Sequence, residues 1–212
     1  MSPGGRRRAP EGVVDLSGLD LQSEPLAGVK VFASRVVGDE RGFFARTSDT
    51  QVLHAAGIDT AAFVQESQSR SAQRVLRGLH GRDVLQEAKL VRCAHGAIHE
   101  VIVDLRPWSP TFLRAATLRL DDREHLQVYV PPGCVHGYQA LTTVADVCYR
   151  MDAVYAPERT LYLAHDDPEL AIEWPLPDPI VSERDRAAPR LTELRPHLER
   201  YFGTAPPGDT TS

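Results

Sequence analysis

The sequence has no hydrophobic run long enough to cross a membrane. Its longest apolar runs, such as Val101-Ile102-Val103, fall far short of the roughly 20 residues that a membrane-spanning helix needs. The first residues, MSPGGRRRAP, lack the apolar core of a signal peptide. We therefore expect a cytoplasmic protein with no membrane partner.

Cysteine is scarce, and there is no excess of basic residues. The three cysteines, Cys93, Cys134 and Cys148, are not at metal-ligand spacings, which is typical of small buried side chains in a reducing compartment. The 24 basic residues are outnumbered by 29 acidic ones, which gives a formal net charge of -5. This balance argues against nucleic acid as a partner, because it offers no footprint for a phosphate backbone.

The common nucleotide-binding and hydrolase motifs are also missing. The sequence has no Gly-rich dinucleotide loop, no P-loop, no nucleophile elbow and no HExxH motif. Function must therefore come from residues that are scattered along the chain.

What is present is a strand-rich chain of 212 residues, 42% of them hydrophobic, which suits one domain. We expect the domain to span residues 21–202, between a flexible N-terminal tail (1–20) and a flexible C-terminal tail (203–212). Segments rich in β-branched and aromatic residues recur between turn residues, at 29–33, 62–68, 89–93, 97–105, 112–120, 126–130, 136–140 and 144–151. So many short strands predict a sandwich, jelly roll or barrel.

Helical signals are few. Ser48 and Gln51 have the spacing of a capping box, and Gly57 would end the short helix that follows. A second helix is predicted over residues 191–202. Its apolar face would comprise Leu191, Leu194, Leu198 and Tyr201.

The richest local motif is Leu76-Arg77-Gly78-Leu79-His80. Strict strand alternation points Arg77 and Leu79 to one side and His80 to the other. A lone histidine is weak evidence for catalysis, so the neighbouring segments decide what this motif means.

An ordered series of motifs extends through residues 21–195. In sequence letters they are DERGFF from Asp39, FVQ from Phe63, SRS from Ser69, VLRGLH from Val75, AKLVR from Ala88, VDLR from Val103, SPTF from Ser109, PPGCVHG from Pro131, CYR from Cys148, YAPE from Tyr155, DDP from Asp166 and SERD from Ser182. In this order they resemble the nucleotide-diphosphate 4-keto-6-deoxyhexose 3,5-epimerases. The resemblance implies an all-β jelly roll of the cupin type with short peripheral helices. It also implies a homodimer that needs no cofactor and binds a nucleotide-diphosphate sugar.

The residue types at the matched positions suit this chemistry. A ketone at carbon 4 acidifies the hydrogens on carbons 3 and 5, so inversion needs a base, an acid on the opposite face and a stabiliser for the enolate. By resemblance, His80 is the base, Asp185 orients it, Tyr149 is the acid and Lys89 lies near the enolate oxygen.

The resemblance also implies a set of substrate-binding residues. Arg77 corresponds to the position that holds the diphosphate, which suits a planar guanidinium. The other positions expected around the nucleotide or the sugar are Arg41, Phe44, Gln65, Arg46, Ser67, His136 and Tyr155.

Each of the main residues has a structural alternative. Asp185 could simply lie in the first turn of a helix, and Lys89 could be an exposed strand residue. Tyr149 could be core packing, and Arg77 could form a surface ion pair.

We also weighed a metal site, because Pro131-x-Gly133-x-x-His136 resembles the second metal-binding motif of cupins. His95 and His99 precede it, but on one strand they would be about 13 Å apart, too far for one ion. We therefore expect no metal, and His136 to be a pocket or packing residue.

Several positions depart from the family pattern. The loop 81–88 is one residue shorter and lacks an aromatic after His80; Arg46 replaces an acidic residue, Ser67 replaces an Asn and Val154 replaces a Tyr. The leading hypothesis is an epimerase acting at carbon 3, carbon 5 or both of a nucleotide-linked 4-keto-6-deoxy sugar. The alternatives are a family member repurposed for a substrate without thymidine diphosphate, and a non-catalytic sugar-binding jelly roll.

Overall fold

The computed structural model describes residues 18–206, so the ends of both predicted tails, residues 1–17 and 207–212, lie outside the described residues. The first strand begins at Leu19, inside the segment expected to be a tail. The reason is local packing: the Leu19 side chain is buried in a cluster with Phe32 and Leu53.

Strands make up most of the secondary structure. They are β1 (Leu19–Leu26), β2 (Val29–Ser34), β3 (Val36–Asp39), β4 (Gly42–Ala45), β5 (Gln65–Ala72), β6 (Val75–Arg82), β7 (Lys89–His95), β8 (Ala97–Asp104), β9 (Ala115–Asp121), β10 (Leu126–Val130), β11 (Cys134–Ala140), β12 (Val144–Met151), β13 (Thr160–Tyr162) and β14 (Ile180–Val181).

Two six-stranded sheets pack against each other. The first has the order β1-β2-β10-β7-β12-β5, and the second has the order β13-β6-β11-β8-β9 with β14 beside β6. The strands β3 and β4 form a separate hairpin. The predicted all-β jelly roll is confirmed.

The core lies between the two sheets. Val91 and Val128 of the first sheet are fully buried with Ile98 and Ile102 of the second. Each fully buried side chain of this size contributes roughly 1.5–3 kcal/mol through its removal from water. These contacts hold the two sheets, and the side chains that project between them, in fixed positions.

The second sheet is also covered on its outer face. Val101 and Val103 alternate with Ile98 and Ile102 along β8 and therefore point away from the core. They are buried by the C-terminal segment, which contributes Leu191, Leu194, Leu198 and Phe202 to the same cluster. Burial on both faces explains why β8 reads as a continuous hydrophobic run.

Helices are short and peripheral, as expected. They are α1 (Thr50–Ala55), α2 (Glu183–Arg186), α3 (Leu191–Leu194) and α4 (Leu198–Phe202), with 3-10 turns at Thr60–Ala62, Pro157–Arg159 and Arg195–His197.

Two helix predictions need correction. The N-cap of α1 is Asp49 rather than Ser48, because its carboxylate accepts from the backbone N–H of Gln51 at 3.0 Å. The predicted helix over 191–202 is divided between α3 and α4 by the turn at Arg195–His197. Pro196 lies in that turn, and proline has no N–H with which to continue a helix.

Six of the eight predicted strands match to within two residues at each end. The predicted strand 62–68 begins only at Gln65, after the Thr60–Ala62 turn. The predicted strand 112–120 begins only at Ala115, because a turn comes first in which the Thr111 hydroxyl donates to Asp104 at 2.7 Å. The predicted segments did not include β1, β3, β4, β6, β13 or β14. In β6, Gly78 and Gly81 interrupt the apolar pattern.

Candidate active site

A cavity of about 770 Å³ opens between the two sheets. Its walls come from β5, β7 and β12 of the first sheet, from β6, β11, β13 and β14 of the second, and from α2. Seven of the sequence-predicted residues line it: His80, Asp185, Tyr149, Lys89, Arg77, His136 and Tyr155.

A β-bulge in β6 brings Arg77 and His80 to the same cavity. Their partners on β11 are Tyr138 and His136, so three residue steps on β6 face two on β11. The bulged stretch contains Gly78, whose φ is +126° and where a Cβ would lie 2.5 Å from the Cα of Gly137. The strict alternation expected for this motif is therefore wrong.

His80 and Asp185 form a tightly hydrogen-bonded pair. His80 Nε2 lies 2.6 Å from Asp185 Oδ1. Asp185 is held in the first turn of α2, where its N–H donates to the Ser182 hydroxyl at 3.1 Å. The helix-turn alternative for Asp185 is thus correct about its location, but the carboxylate also reaches the imidazole.

The electrostatics fix the state of this pair. Burial by itself would raise the pKa of Asp185, but the hydrogen bond and charge of His80, with the hydrogen bonds from Ser182 and Gly78, hold it below its ordinary value. The ionised carboxylate accepts the Nε2 proton, which leaves the lone pair of His80 on Nδ1. No hydrogen-bond partner of Nδ1 occurs among residues 18–206.

Tyr149 lies on the other sheet, with its phenol in the cavity wall. Its hydroxyl is 3.0 Å from Ser69 Oγ. Burial, followed by the neighbouring Tyr138, raises the pKa of Tyr149 well above its ordinary value, whereas the Ser69 hydrogen bond lowers it. The phenol is therefore protonated at neutral pH and available as a donor.

Lys89 is buried, so the alternative of an exposed strand residue is wrong. Its ammonium lies 3.0 Å from Glu87 Oε1, and Arg82 Nε donates to Glu87 Oε2 at 2.7 Å. The shared carboxylate holds the Lys89 amine against the cavity wall.

A second histidine–carboxylate pair lies beside the first. His136 Nδ1 is 2.6 Å from Glu100 Oε1, and both side chains are buried. Burial raises the pKa of Glu100 well above its ordinary value and lowers that of His136 well below. The His136 ring packs edge-on against Tyr149, with 6.2 Å between ring centroids.

The other predicted binding residues lie away from this cavity. Arg41 pairs with Asp39 on the β3–β4 hairpin, where Phe44 is exposed, and Arg46 pairs with Asp49 at 3.0 Å. Their positions do not bring them into the cavity of this chain.

Gln65 and Ser67 lie on β5, next to β12. The Gln65 side chain accepts from the Tyr155 N–H at 2.5 Å and so connects β5 to the exposed rim residue Tyr155. Ser67 is exposed and is paired with Tyr149 in the strand register.

Comparison with known proteins identifies the family. The sequence profile described as dTDP-4-dehydrorhamnose 3,5-epimerase matches residues 23–193. The chain belongs to this family. It is a sugar-nucleotide epimerase, an enzyme of the isomerase class, as the resemblance implied.

Individual members of the dTDP-4-dehydrorhamnose 3,5-epimerase family are similar over most of their length. The enzyme of that name from Pseudomonas aeruginosa is 41% identical over 159 residues, which are 74% of this chain and 88% of the relative. NovW, a 4-keto-6-deoxy sugar epimerase from the novobiocin gene cluster of Streptomyces spheroides, is 33% identical with a TM-score of 0.82, over 98% of this chain and 100% of that one. A Legionella pneumophila epimerase in complex with dTDP-4-keto-L-rhamnose is 34% identical with a TM-score of 0.80, over 85% and 96% of the two chains.

The argument against a metal site placed His95 and His99 on one strand, and that placement is wrong. His95 ends β7 and His99 lies on β8, so a turn separates them and they do not share a strand. His95 is near Asp122 (3.3 Å), and His99 packs edge-on against Trp174. Within residues 18–206, no group of three or more His, Cys, Asp or Glu side chains could hold a metal ion.

Cys93, Cys134 and Cys148 are free and buried, as predicted. No helix in the described part of the chain is long and apolar enough to cross a membrane.

Sequence reasoning missed several side chains that complete the site of this family member. Tyr138 hydrogen-bonds to both Ser69 and Ser71, and Arg77 donates to Ser71, so the surface ion pair considered for Arg77 is wrong. The spacing of Ser69 and Ser71 along a strand could have indicated that they share a face. Nothing in the sequence indicated that Tyr138 would join them, because its partners are more than sixty residues away.

Proposed function

We propose that this epimerase acts at carbon 3, carbon 5 or both of a nucleotide-diphosphate 4-keto-6-deoxyhexose. His80 is the base, oriented by Asp185, and Tyr149 is the acid. Lys89 stabilises the enolate, and Arg77 binds the diphosphate. The reaction needs no cofactor.

One observation carries this proposal: the base and the acid come from different sheets. His80 projects into the cavity from β6 of the second sheet, and Tyr149 projects from β12 of the first. A sugar ring bound between the sheets would have a proton acceptor on one side and a donor on the other. Inversion requires this arrangement, whereas binding alone does not.

The proposed step is balanced in protons. His80 Nδ1 takes the hydrogen from the carbon next to the ketone, and the C–H electron pair forms the enolate. The imidazolium is stabilised by the ionised Asp185 on Nε2. Tyr149 then gives its proton to the opposite face of the same carbon, and the ketone re-forms. Solvent returns a proton to the phenolate and takes one from the imidazolium.

The cations in the cavity suit the charges of this substrate. Lys89 is a buried, restrained ammonium that can neutralise the developing enolate oxygen. Arg77 is exposed in the same cavity and offers a fork of donors that matches phosphate oxygens.

Incubation in heavy water with dTDP-4-keto-L-rhamnose tests this function. Deuterium uptake is followed by mass spectrometry, and inversion is followed by NMR at each carbon. One deuterium indicates reaction at one carbon, and two indicate both. An unlabelled sugar would contradict the proposal, provided that calorimetry shows that the ligand binds.

Nucleotide selectivity is expected to be weak for thymidine, or to favour another carrier. Thymine offers an imide N–H that needs an acceptor, whereas the Arg46 guanidinium only donates. The missing acceptor should cost about 1–3 kcal/mol, or roughly five- to 150-fold in affinity. Calorimetric titration with thymidine, uridine, cytidine and guanosine diphosphates measures this.

Arg46→Ala provides the decisive comparison, with Arg195→Ala as a control at a surface ion pair outside the cavity. A strong thymidine preference that survives Arg46→Ala would contradict the prediction, since other residues would then be reading the base.

The chain is further proposed to be a cytoplasmic homodimer, from the family resemblance. Sedimentation should give about twice the 23.4 kDa mass of one chain. A species of single-chain mass at micromolar concentration would remove the dimer without affecting the chemistry.

A further inference from the structure

A chain of hydrogen bonds runs through the cavity wall from Arg77 to Tyr149. Arg77 Nε donates to Ser71 Oγ at 3.1 Å, and Ser71 Oγ lies 3.0 Å from Tyr138 Oη. Tyr138 Oη lies 2.9 Å from Ser69 Oγ, which is 3.0 Å from Tyr149 Oη. The chain crosses between the sheets three times, because Ser69, Ser71 and Tyr149 belong to the first sheet and Arg77 and Tyr138 to the second.

The direction of this chain is set at the Arg77 end. A guanidinium has donors and no acceptor, so Ser71 Oγ must accept from it. The Ser71 side chain is buried, and within residues 18–206 its hydroxyl contacts only Arg77 and Tyr138. Buried hydroxyl groups are rarely left unpaired, so the Ser71 hydrogen goes to Tyr138 Oη.

The same reasoning applies to the next two hydroxyl groups, those of Tyr138 and Ser69. Tyr138 is buried and accepts from Ser71, so its own hydrogen goes to Ser69. Ser69 Oγ accepts that hydrogen and, 3.0 Å from Tyr149 Oη, has its own hydrogen available for Tyr149. If Tyr138 donated to Ser71 instead, the buried Ser71 hydrogen would have no acceptor among the described residues.

We propose that Tyr138 is a positioning residue that transmits the hydrogen-bond direction set by Arg77 to Tyr149, so that the Tyr149 hydrogen points into the cavity. This inference rests on the proposed function, in which Tyr149 is the proton donor. It adds that the guanidinium assigned to the diphosphate also orients the acid.

The hydrogen-bond chain Arg77–Ser71–Tyr138–Ser69–Tyr149, called the relay from here on, has a role after proton transfer as well. The Tyr149 O–H bond breaks as the new C–H bond forms, and the phenolate keeps the hydrogen bond from Ser69. A hydrogen bond donated to a phenolate favours its charged form, which agrees with the lowering effect of Ser69 on the pKa of Tyr149, whereas burial and the contact with Tyr138 raise that pKa.

Tyr138→Phe tests the relay, because it removes one hydroxyl and keeps the ring that packs in the core. We expect inversion to fall about tenfold, the effect of one lost orienting hydrogen bond. Deuterium exchange into the recovered substrate and KM should remain near normal, since His80 and Arg77 are unchanged. Tyr129→Phe is the matched control: Tyr129 is a half-buried tyrosine on β10 that does not line the cavity.

Ser71→Ala tests the relay next to Arg77, at a residue that is three hydrogen bonds away from the Tyr149 hydroxyl. It should also raise the ratio of exchange to inversion, and it should have no further effect on inversion when combined with Tyr149→Phe. Thermal unfolding checks that the Tyr138 and Ser71 variants are folded.

The outcomes separate the relay from the proposed function. Normal inversion in folded Tyr138→Phe and Ser71→Ala, with inversion lost in Tyr149→Phe, would overturn the relay and leave the acid assignment intact. An equal fall of exchange and inversion would also overturn it, because that pattern indicates general disturbance of the site. Normal inversion in Tyr149→Phe would instead overturn the acid assignment of the proposed function.

Discussion

The His80→Ala variant is expected to lose deuterium exchange at every carbon that the wild type labels. General base catalysis by a positioned side chain contributes about 10²–10⁴-fold. His80 is paired with an ionised carboxylate, whereas His136, the other histidine that lines the cavity, is paired with Glu100, whose pKa is raised by burial. Affinity for dTDP should change little, because the base acts on the transition state. Mass spectrometry measures the exchange, and calorimetry measures the affinity.

His95→Ala is the control for this experiment. His95 is an exposed histidine at the end of β7, outside the cavity lining, so its loss should leave exchange unchanged. Near-normal exchange in His80→Ala would mean that the base is assigned to the wrong residue.

Asp185→Asn should lower exchange to a lesser extent than His80→Ala, since it leaves the imidazole in place but removes the charge that supports the imidazolium.

The lowered pKa of Asp185 also makes the folding stability of the protein depend on pH. Because its folded-state pKa lies below the ordinary value, the stabilisation that it provides is present above that ordinary value and is lost as pH falls through the folded pKa.

The Tyr149→Phe variant is expected to separate exchange from inversion. His80 can still remove the proton and return a deuteron to the same face, so label enters the recovered substrate. Without the phenol, no donor is held on the opposite side, and inversion should fall by about 10²–10⁴-fold. NMR of the sugar measures the stereochemistry of each labelled carbon.

Tyr162→Phe makes a useful comparison for that variant. Tyr162 also lines the cavity, but its ring packs edge-on against His80 on the second sheet, at 5.1 Å between centroids. Inversion lost equally in both variants would contradict a specific role for the Tyr149 hydroxyl.

Both predictions depend on side chains that are carried by strands. His80, Tyr149, Lys89 and His136 all project from paired strands of the sandwich, whose core contacts restrain them. Only Asp185 comes from a peripheral helix, and it is fixed by the Ser182 cap and by His80. Sites on rigid elements hold reacting groups more accurately than sites on loops.

The linear pattern of the chain was enough to predict the fold class. Alternating apolar residues and regular turns predicted eight strands, six of them to within two residues at each end, because strand formation depends on local side-chain periodicity and turn chemistry. The order of motifs was enough to predict the family, and with it seven of the residues that line the cavity. It did not predict β6, where glycines replace the apolar pattern.

Tertiary structure alone decided how those residues face each other. The bulge at Gly78 depends on close approach to Gly137, so the shared orientation of Arg77 and His80 could not follow from alternation. The burial of Lys89 beside Glu87 and the joining of Ser69 and Tyr138 have the same origin. Sequence periodicity specifies which face of a strand a residue occupies, whereas hydrogen bonds between distant strands are set by sheet register and by the packing of one sheet on the other.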